Sequence, residues 1–386
     1  MIKFEELERI HVELSSACNA ACPSCPRNAD GGYTIPWLKQ RTMSLADFKL
    51  IFDTTVLRQL DSILFCGNFG DPIFCKDLPG ILEYINSVNH NVDVKVHTNG
   101  GIRLTEWWAS LPTKHKKLTV VFSIDGLHDT NHIYRRNVKW DRVMENVAAY
   151  IGAGGIATWE FLIFKHNEHQ MDLATQIADQ MGFRDIQFKR PFGFDDANSN
   201  YDAMRVVDSN GNFDYHIYPP SQVDYNNRNV DKQQLNKHRS HAGLPLDAYQ
   251  ESWQVKNDYY DEVVAIEVEK FAHLDDTGIS CMTKNNKEVY IDSAGYLHPC
   301  CFLGIGGQNV TLAYDSIQYN KWLEDNIELD ANNVKLHSLK HIMDSKFLGA
   351  IEETWAKTHK DGRMMCCSKM CSKKYSPTER LYIDNR

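Results

Sequence analysis

The sequence predicts an α/β fold: an open parallel (β/α)6 partial barrel, followed by a polar segment and a C-terminal cysteine-rich α+β domain. Three observations support this. Short β-branched runs alternate with helical patterns from about residue 10 to residue 190. Strict alternation of this kind implies a parallel sheet. The pattern amounts to six units, too few to close an eight-stranded barrel.

In chain order, the strand candidates are Ile10–Leu14, Ser62–Cys66, Val92–His97, Leu118–Ser123, Thr158–Phe164 and Asp185–Lys189. Helical stretches lie between them at Ser44–Leu60, Leu78–Val88, Thr105–Ser110, Lys139–Ile151 and Glu168–Met181. Ser44 reads as an N-cap, with Asp47 as the acid of the first turn. Parallel α/β sheets bind ligands at the C-terminal ends of their strands, so the chemistry is sought in the loops that follow each strand. Residues 193–275 are rich in Asn, Asp and Tyr and poor in periodicity. They read as a long insert, with a substrate lid as the functional alternative. A hairpin is expected at Glu288–Ile291 and Tyr296–His298, turning at Ser293–Gly295. These readings divide the chain at 1–192, 193–275 and 276–386.

The 386 residues are 42% hydrophobic and 24% charged, an ordinary globular composition. A net charge of −9 without a long basic run argues against a nucleic-acid partner. No apolar run reaches bilayer length, and the opening MIKFEELERIHVEL is too charged for a signal peptide. The expectation is a cytoplasmic protein with no membrane partner. Eleven cysteines in a reducing compartment point to metal or catalysis rather than to disulfides.

Three of those cysteines, Cys18, Cys22 and Cys25, sit in the segment VELSSACNAACPSCPRN just after the first strand. Thiolates bind iron well, and four of them complete a four-iron cluster. Three with no fourth nearby leave one iron able to take a chelating small molecule. Pro23 and Pro26 keep the loop from continuing as helix. The alternative is a zinc knuckle completed by a distant thiol or by His11.

This CxxxCxxC spacing, placed after the first strand of a βα series, resembles the radical S-adenosylmethionine (SAM) superfamily. The resemblance implies a [4Fe-4S] cluster on the triad with SAM on its open iron. Members usually carry an aromatic residue just before the third cysteine, near the adenine; here it is Ser24, which implies weaker adenine packing. The segment Gly67-Asn68-Phe69-Gly70-Asp71-Pro72 resembles the family's Gly-Gly-Glu-Pro stretch beside the SAM amino group. Its glycines permit close backbone approach, and Asp71 is its acid. Thr98-Asn99-Gly100 and Ser123-Ile124-Asp125-Gly126 look like the family's strand-end motifs, although each also makes sense as a turn. The resemblance assigns Ser123 and a downstream arginine to the SAM carboxylate, with Arg135 and Arg136 both standing as candidates. Phe164 opens a stretch, Phe164–Gln170, similar to one branch of the superfamily. His166 and His169 within it offer a weaker metal reading.

The pattern Cys281-x13-Gly295-x4-Cys300 resembles the opening of a SPASM or twitch extension. With Cys367 and Cys371 it implies one auxiliary [4Fe-4S] cluster, Cys301 and Cys366 being the alternates. A structural zinc ion held by four cysteines is the other reading. The resemblance implies an electron donor such as flavodoxin or ferredoxin. It also implies a 5′-deoxyadenosyl radical that takes hydrogen from a small-molecule substrate, with a two-electron oxidation completed through the auxiliary cluster. Seventeen residues precede Cys18, too few for a leader-binding domain, which disfavours the alternative of a peptide or protein side-chain maturase. A third reading is a non-catalytic binding protein stapled by zinc.

Overall fold

A computed structural model describes residues 1–36, 38–191, 194, 203–221, 268–269, 271–307 and 314–372. Strand β1 (Arg9–Val12) is followed by a small antiparallel hairpin of β2 (Asn28–Ala29) and β3 (Tyr33–Thr34). Then come β4 (Ser62–Phe65), β5 (Asp93–Thr98), β6 (Leu118–Ser123), β7 (Ile156–Leu162) and β8 (Asp185–Lys189). Strands β1 and β4 to β8 pair in parallel and in chain order, as expected for an open α/β sheet. The first five residues of β6, Leu118–Phe122, are buried, as in a central strand covered on both faces.

The helix expected over Ser44–Leu60 is two helices, Leu45–Ile51 and Thr54–Gln59. Asp53 causes the break: its carboxylate accepts from the backbone N–H of Thr55 and Val56 and starts a new helix. Asp53→Ala is expected to cost about 1 kcal/mol, read from the denaturation midpoint. Ser44 caps the first helix as expected, accepting from the Asp47 N–H.

The polar insert holds a hairpin that its composition hides. Strands β9 (Met204–Val207) and β10 (Phe213–Ile217) pair antiparallel. Their turn is organised by Asp208, which accepts from the N–H groups of Asn210 and Asn212 at 2.8 and 2.9 Å. The part of the insert at 222–267 lies outside the described residues.

The hairpin read near the C-terminus forms as β11 (Glu288–Ile291) and β12 (Leu297–His298). It extends the barrel sheet: β11 runs parallel to β1, with Arg9 opposite Glu288 and Val12 opposite Ile291. The result is one eight-stranded sheet in the order β12-β11-β1-β4-β5-β6-β7-β8. Its core is also continuous, since Val289, Ile291 and Leu297 bury with Val12, Phe65 and Val96. The triad loop and the C-terminal cysteines are therefore anchored to neighbouring strands. Among the described residues, no helix is long and apolar enough to cross a membrane.

Candidate cofactor site at the strand ends

The loop after β1 brings Cys18, Cys22 and Cys25 to the C-terminal end of the sheet. Burial raises all three thiols, Cys25 to about 12. Cys22 adds its charge against both Cys18 and Cys25, so the three sulfurs share one locality. Sulfurs so placed ionise only when a cation compensates them. Donors already point at them. Cys18 Sγ accepts from the Ala20 N–H at 3.3 Å and from Asn99 Nδ2 at 3.5 Å. Arg135 Nη1 lies 3.7 Å from Cys22 Sγ. This donor set fits a polynuclear iron–sulfur group.

Asp71 is buried and its carboxylate is fully engaged. One oxygen accepts from Thr98 Oγ1, the Asn99 N–H and Asn99 Nδ2, each at 2.9 Å. The other accepts from the Ile73 N–H at 3.1 Å. Asp71 thus ties the loop after β4 to the loop after β5. Gly70 is forced by close approach, because a Cβ there would stand 1.9 Å from the Ser15 carbonyl oxygen. Gly67 is equally tight against the Gly70 carbonyl, at 2.2 Å. Asn68 reaches the other way, and its Nδ2 donates to the Cys301 carbonyl at 2.8 Å.

Asp125 has no exposed surface, and it aims Arg135. Its Oδ2 accepts from Arg135 Nε at 2.5 Å, and its Oδ1 accepts from the Leu162 N–H at 2.6 Å. The two arginines therefore part company. Arg135 turns inward to the thiols, whereas Arg136 turns outward to Asp214 at 2.9 Å and over the Tyr215 ring. Ser123 ends β6 half-buried, opposite Glu160 of β7.

Two residues that the sequence reading passed over stand out. Tyr134 is buried, its hydroxyl hydrogen-bonds Ser24, and its ring lies 4.7 Å from that of Phe164. Two rings from the loops after β6 and β7 thus pack behind Ser24. Glu13, at the end of β1, is fully buried and accepts from the N–H groups of Phe69 and Gly70 at 2.7 and 3.2 Å. Burial, with the charge of Asp292, lifts its carboxyl to about 7. A raised carboxyl favours the fold while protonated, and that stability is lost as pH climbs from about 4.5 toward 7. Glu13→Gln keeps an acceptor oxygen but not the charge. The variant is expected to lose about 3 kcal/mol less stability than wild type across that window, read from denaturant midpoints at pH 4.5 and 8.

The second cysteine group lines a separate cavity. Cys281, Cys300, Cys366, Cys367 and Cys371 face it among Ile279, Phe302, Leu303, Trp355 and other apolar side chains. Cys367 and Cys371 lie one turn apart on the helix Met365–Cys371 and so share a face. Cys300 and Cys281 both press charge on Cys367. Cys371 hydrogen-bonds the Cys281 sulfur and lowers its pKa. Cys301 is not on this wall: its electrostatic neighbours are Cys66 and Glu288, toward the barrel.

The fold is that of the radical SAM enzymes, a parallel partial barrel with a C-terminal cysteine-bearing extension. It is shared with hexahistidine-tagged anSMEcpe with bound AdoMet (TM-score 0.51, 14% identity, covering 94% of this chain and 88% of that one). Native anSMEcpe with bound AdoMet and the Cp18Cys peptide also matches (TM-score 0.50, 14% identity, covering 97% and 91%). No protein-family model and no curated protein matches the sequence.

Proposed function

We propose that this chain is a radical SAM enzyme. Its Cys18/Cys22/Cys25 triad would hold a [4Fe-4S] cluster that binds SAM at the iron left without a thiolate. The observation that carries the reading is the gathering of three sulfurs, of buried Cys22 and half-buried Cys18 and Cys25, with Arg135 and Asn99 at the strand ends. When bound, the cluster and SAM supply a one-electron cleavage that gives methionine and a 5′-deoxyadenosyl radical.

The chain's own residues do the positioning. Arg135, held by Asp125, offers a guanidinium suited to the methionine carboxylate. The Gly67–Gly70 turn, fixed by Glu13 and packed against the Ser15 backbone, would be held rigid beside the amino group. Tyr134, backed by Phe164, packs under Ser24 and would support the triad loop at the adenine position. Cys281, Cys300, Cys367 and Cys371 would hold an auxiliary cluster in an apolar, water-poor cavity. An electron leaving the substrate could pass there, so the net result would be an oxidation. The first electron comes from a donor such as flavodoxin or ferredoxin.

The substrate reading favoured here is a small organic molecule. A peptide is the second reading, supported by the shared fold of anSMEcpe solved with a bound peptide. A zinc-stapled binding protein is the third reading, and it predicts bound zinc without acid-labile sulfide. Anaerobically reconstituted protein given SAM and dithionite is expected to release 5′-deoxyadenosine, read by chromatography. Iron and sulfide loading with no 5′-deoxyadenosine above a protein-free control would overturn the reading.

A further inference from the structure

A second cavity opens on the same rim of the barrel, away from both cysteine groups. It has a volume of about 460 Å3, the size of a small organic ligand. Its walls come from three segments: the loop after β6 (His132), the loop after β7 (Lys165, His166), and β10 with the residues beyond it (Tyr215, His216, Tyr218). Among the described residues it is lined by three imidazoles, one ammonium, two phenol rings and Ile133, with no carboxylate.

The polar groups here await a partner. His166 Nε2 is buried without a hydrogen-bond partner, and its ring stacks on Phe164 at 5.2 Å. A buried ring nitrogen left unpaired calls for an acceptor or donor from outside the chain. Burial, then the charges of His132 and His169, lowers His166 to about 4, so added positive charge is resisted until an anion is present. Lys165 is exposed, and its ammonium rests 5.6 Å over the Tyr218 ring rather than on an acid. The acids of the flanking segments are engaged elsewhere: Asp214 pairs with Arg136, and Glu168 accepts from the Ser221 N–H.

We infer that this cavity is an anion-recognition subsite, holding a carboxylate or phosphate group of the substrate while Tyr215 and Tyr218 cover its apolar body. The inference rests on the radical SAM reading only for the word substrate. The path to the triad is short in the fold: His166 stacks on Phe164, Phe164 packs on Tyr134, and Tyr134 meets Ser24 in the cysteine loop. An acid group anchored here would leave the rest of the molecule free to reach inward. Arg135 is engaged by Asp125, so the two positive loci stay separate.

The test is calorimetric titration of the full, cluster-loaded chain with phenyl phosphate and, separately, with benzoate. One-to-one binding of at least one probe is expected, with Kd raised tenfold or more in Lys165→Gln and in the Lys165→Gln/His216→Gln double variant. Both side chains are exposed, so these variants should fold. The tighter probe assigns phosphate or carboxylate. Binding of neither probe at millimolar concentration, or binding unchanged in the double variant, overturns the inference. Probe binding requires no SAM cleavage, so a negative result here leaves the radical reading intact, and a failure to cleave SAM leaves this site standing.

Discussion

Replacing Cys18, Cys22 and Cys25 together by serine is expected to remove about four of about eight irons per chain and to abolish 5′-deoxyadenosine formation, a fall on the order of a thousandfold. The three thiols share one buried locality, and Cys22 presses its charge on both of the others. Serine hydroxyls bind iron far more weakly and keep their protons, so the cluster has no substitute anchors. The auxiliary cavity draws on other elements, the turn at Cys281, the loop at Cys300 and the helix Met365–Cys371, so its iron should remain. Iron and sulfide counts on the same sample separate the outcomes. Loss of nearly all iron would mean that the two sites fold as one unit; full retention would mean that the triad does not hold a cluster.

Arg135→Met is expected to be the most damaging single change away from the cysteines. Its Nε donates to Asp125 at 2.5 Å, and Asp125 has no exposed surface. Removing the guanidinium leaves a buried carboxylate without its cation, a loss of about 3–5 kcal/mol. The carboxylate retains the Leu162 N–H as a donor, but one neutral donor does not replace a charge. Arg135 also stands 3.7 Å from Cys22 Sγ, where a SAM carboxylate would arrive, so SAM affinity should fall tenfold or more. Asp125→Asn/Arg135→Met restores an uncharged pair. It should recover much of the stability but none of the SAM affinity. Equilibrium dialysis beside a denaturation curve reads both effects, and affinity returning with stability would assign Arg135 a purely structural role.

The parallel order of β1 and β4 to β8 was legible because short β-branched strands alternate regularly with helical stretches. The C-terminal hairpin was legible from Gly295, which turns at φ +96°, but its docking on β1 was not. That contact joins residues some 280 apart in the chain, and no local pattern encodes it. The β9–β10 hairpin was missed because Asp208 and the asparagines of its turn dominate the composition around a few buried residues such as Val206 and Ile217.

At the site, the grouping of the three cysteines was legible from their spacing, and the structure gathers them in one locality. Arg135 and Arg136 were inseparable because neighbouring residues in a turn face opposite ways, and only Asp125 decides which turns inward. Glu13 and Tyr134 left no signal. A glutamate at a strand end ordinarily faces water, and a tyrosine in a short helix ordinarily packs; only the folded backbone aims one at the Gly70 loop and the other at Ser24. Asp71 also has a task in the fold that its sequence motif does not announce. Its four accepted hydrogen bonds make it the clasp between two loops.

The central claim is an iron with a free coordination position at the triad. Low-temperature electron paramagnetic resonance of the dithionite-reduced protein, recorded with and without SAM, tests it most directly. To isolate the triad, the measurement is made on a Cys281→Ser/Cys300→Ser variant as well as on wild type. A cluster signal whose g-values shift on adding SAM is expected in both. A reduced-cluster spectrum that SAM leaves unchanged in both would contradict the account.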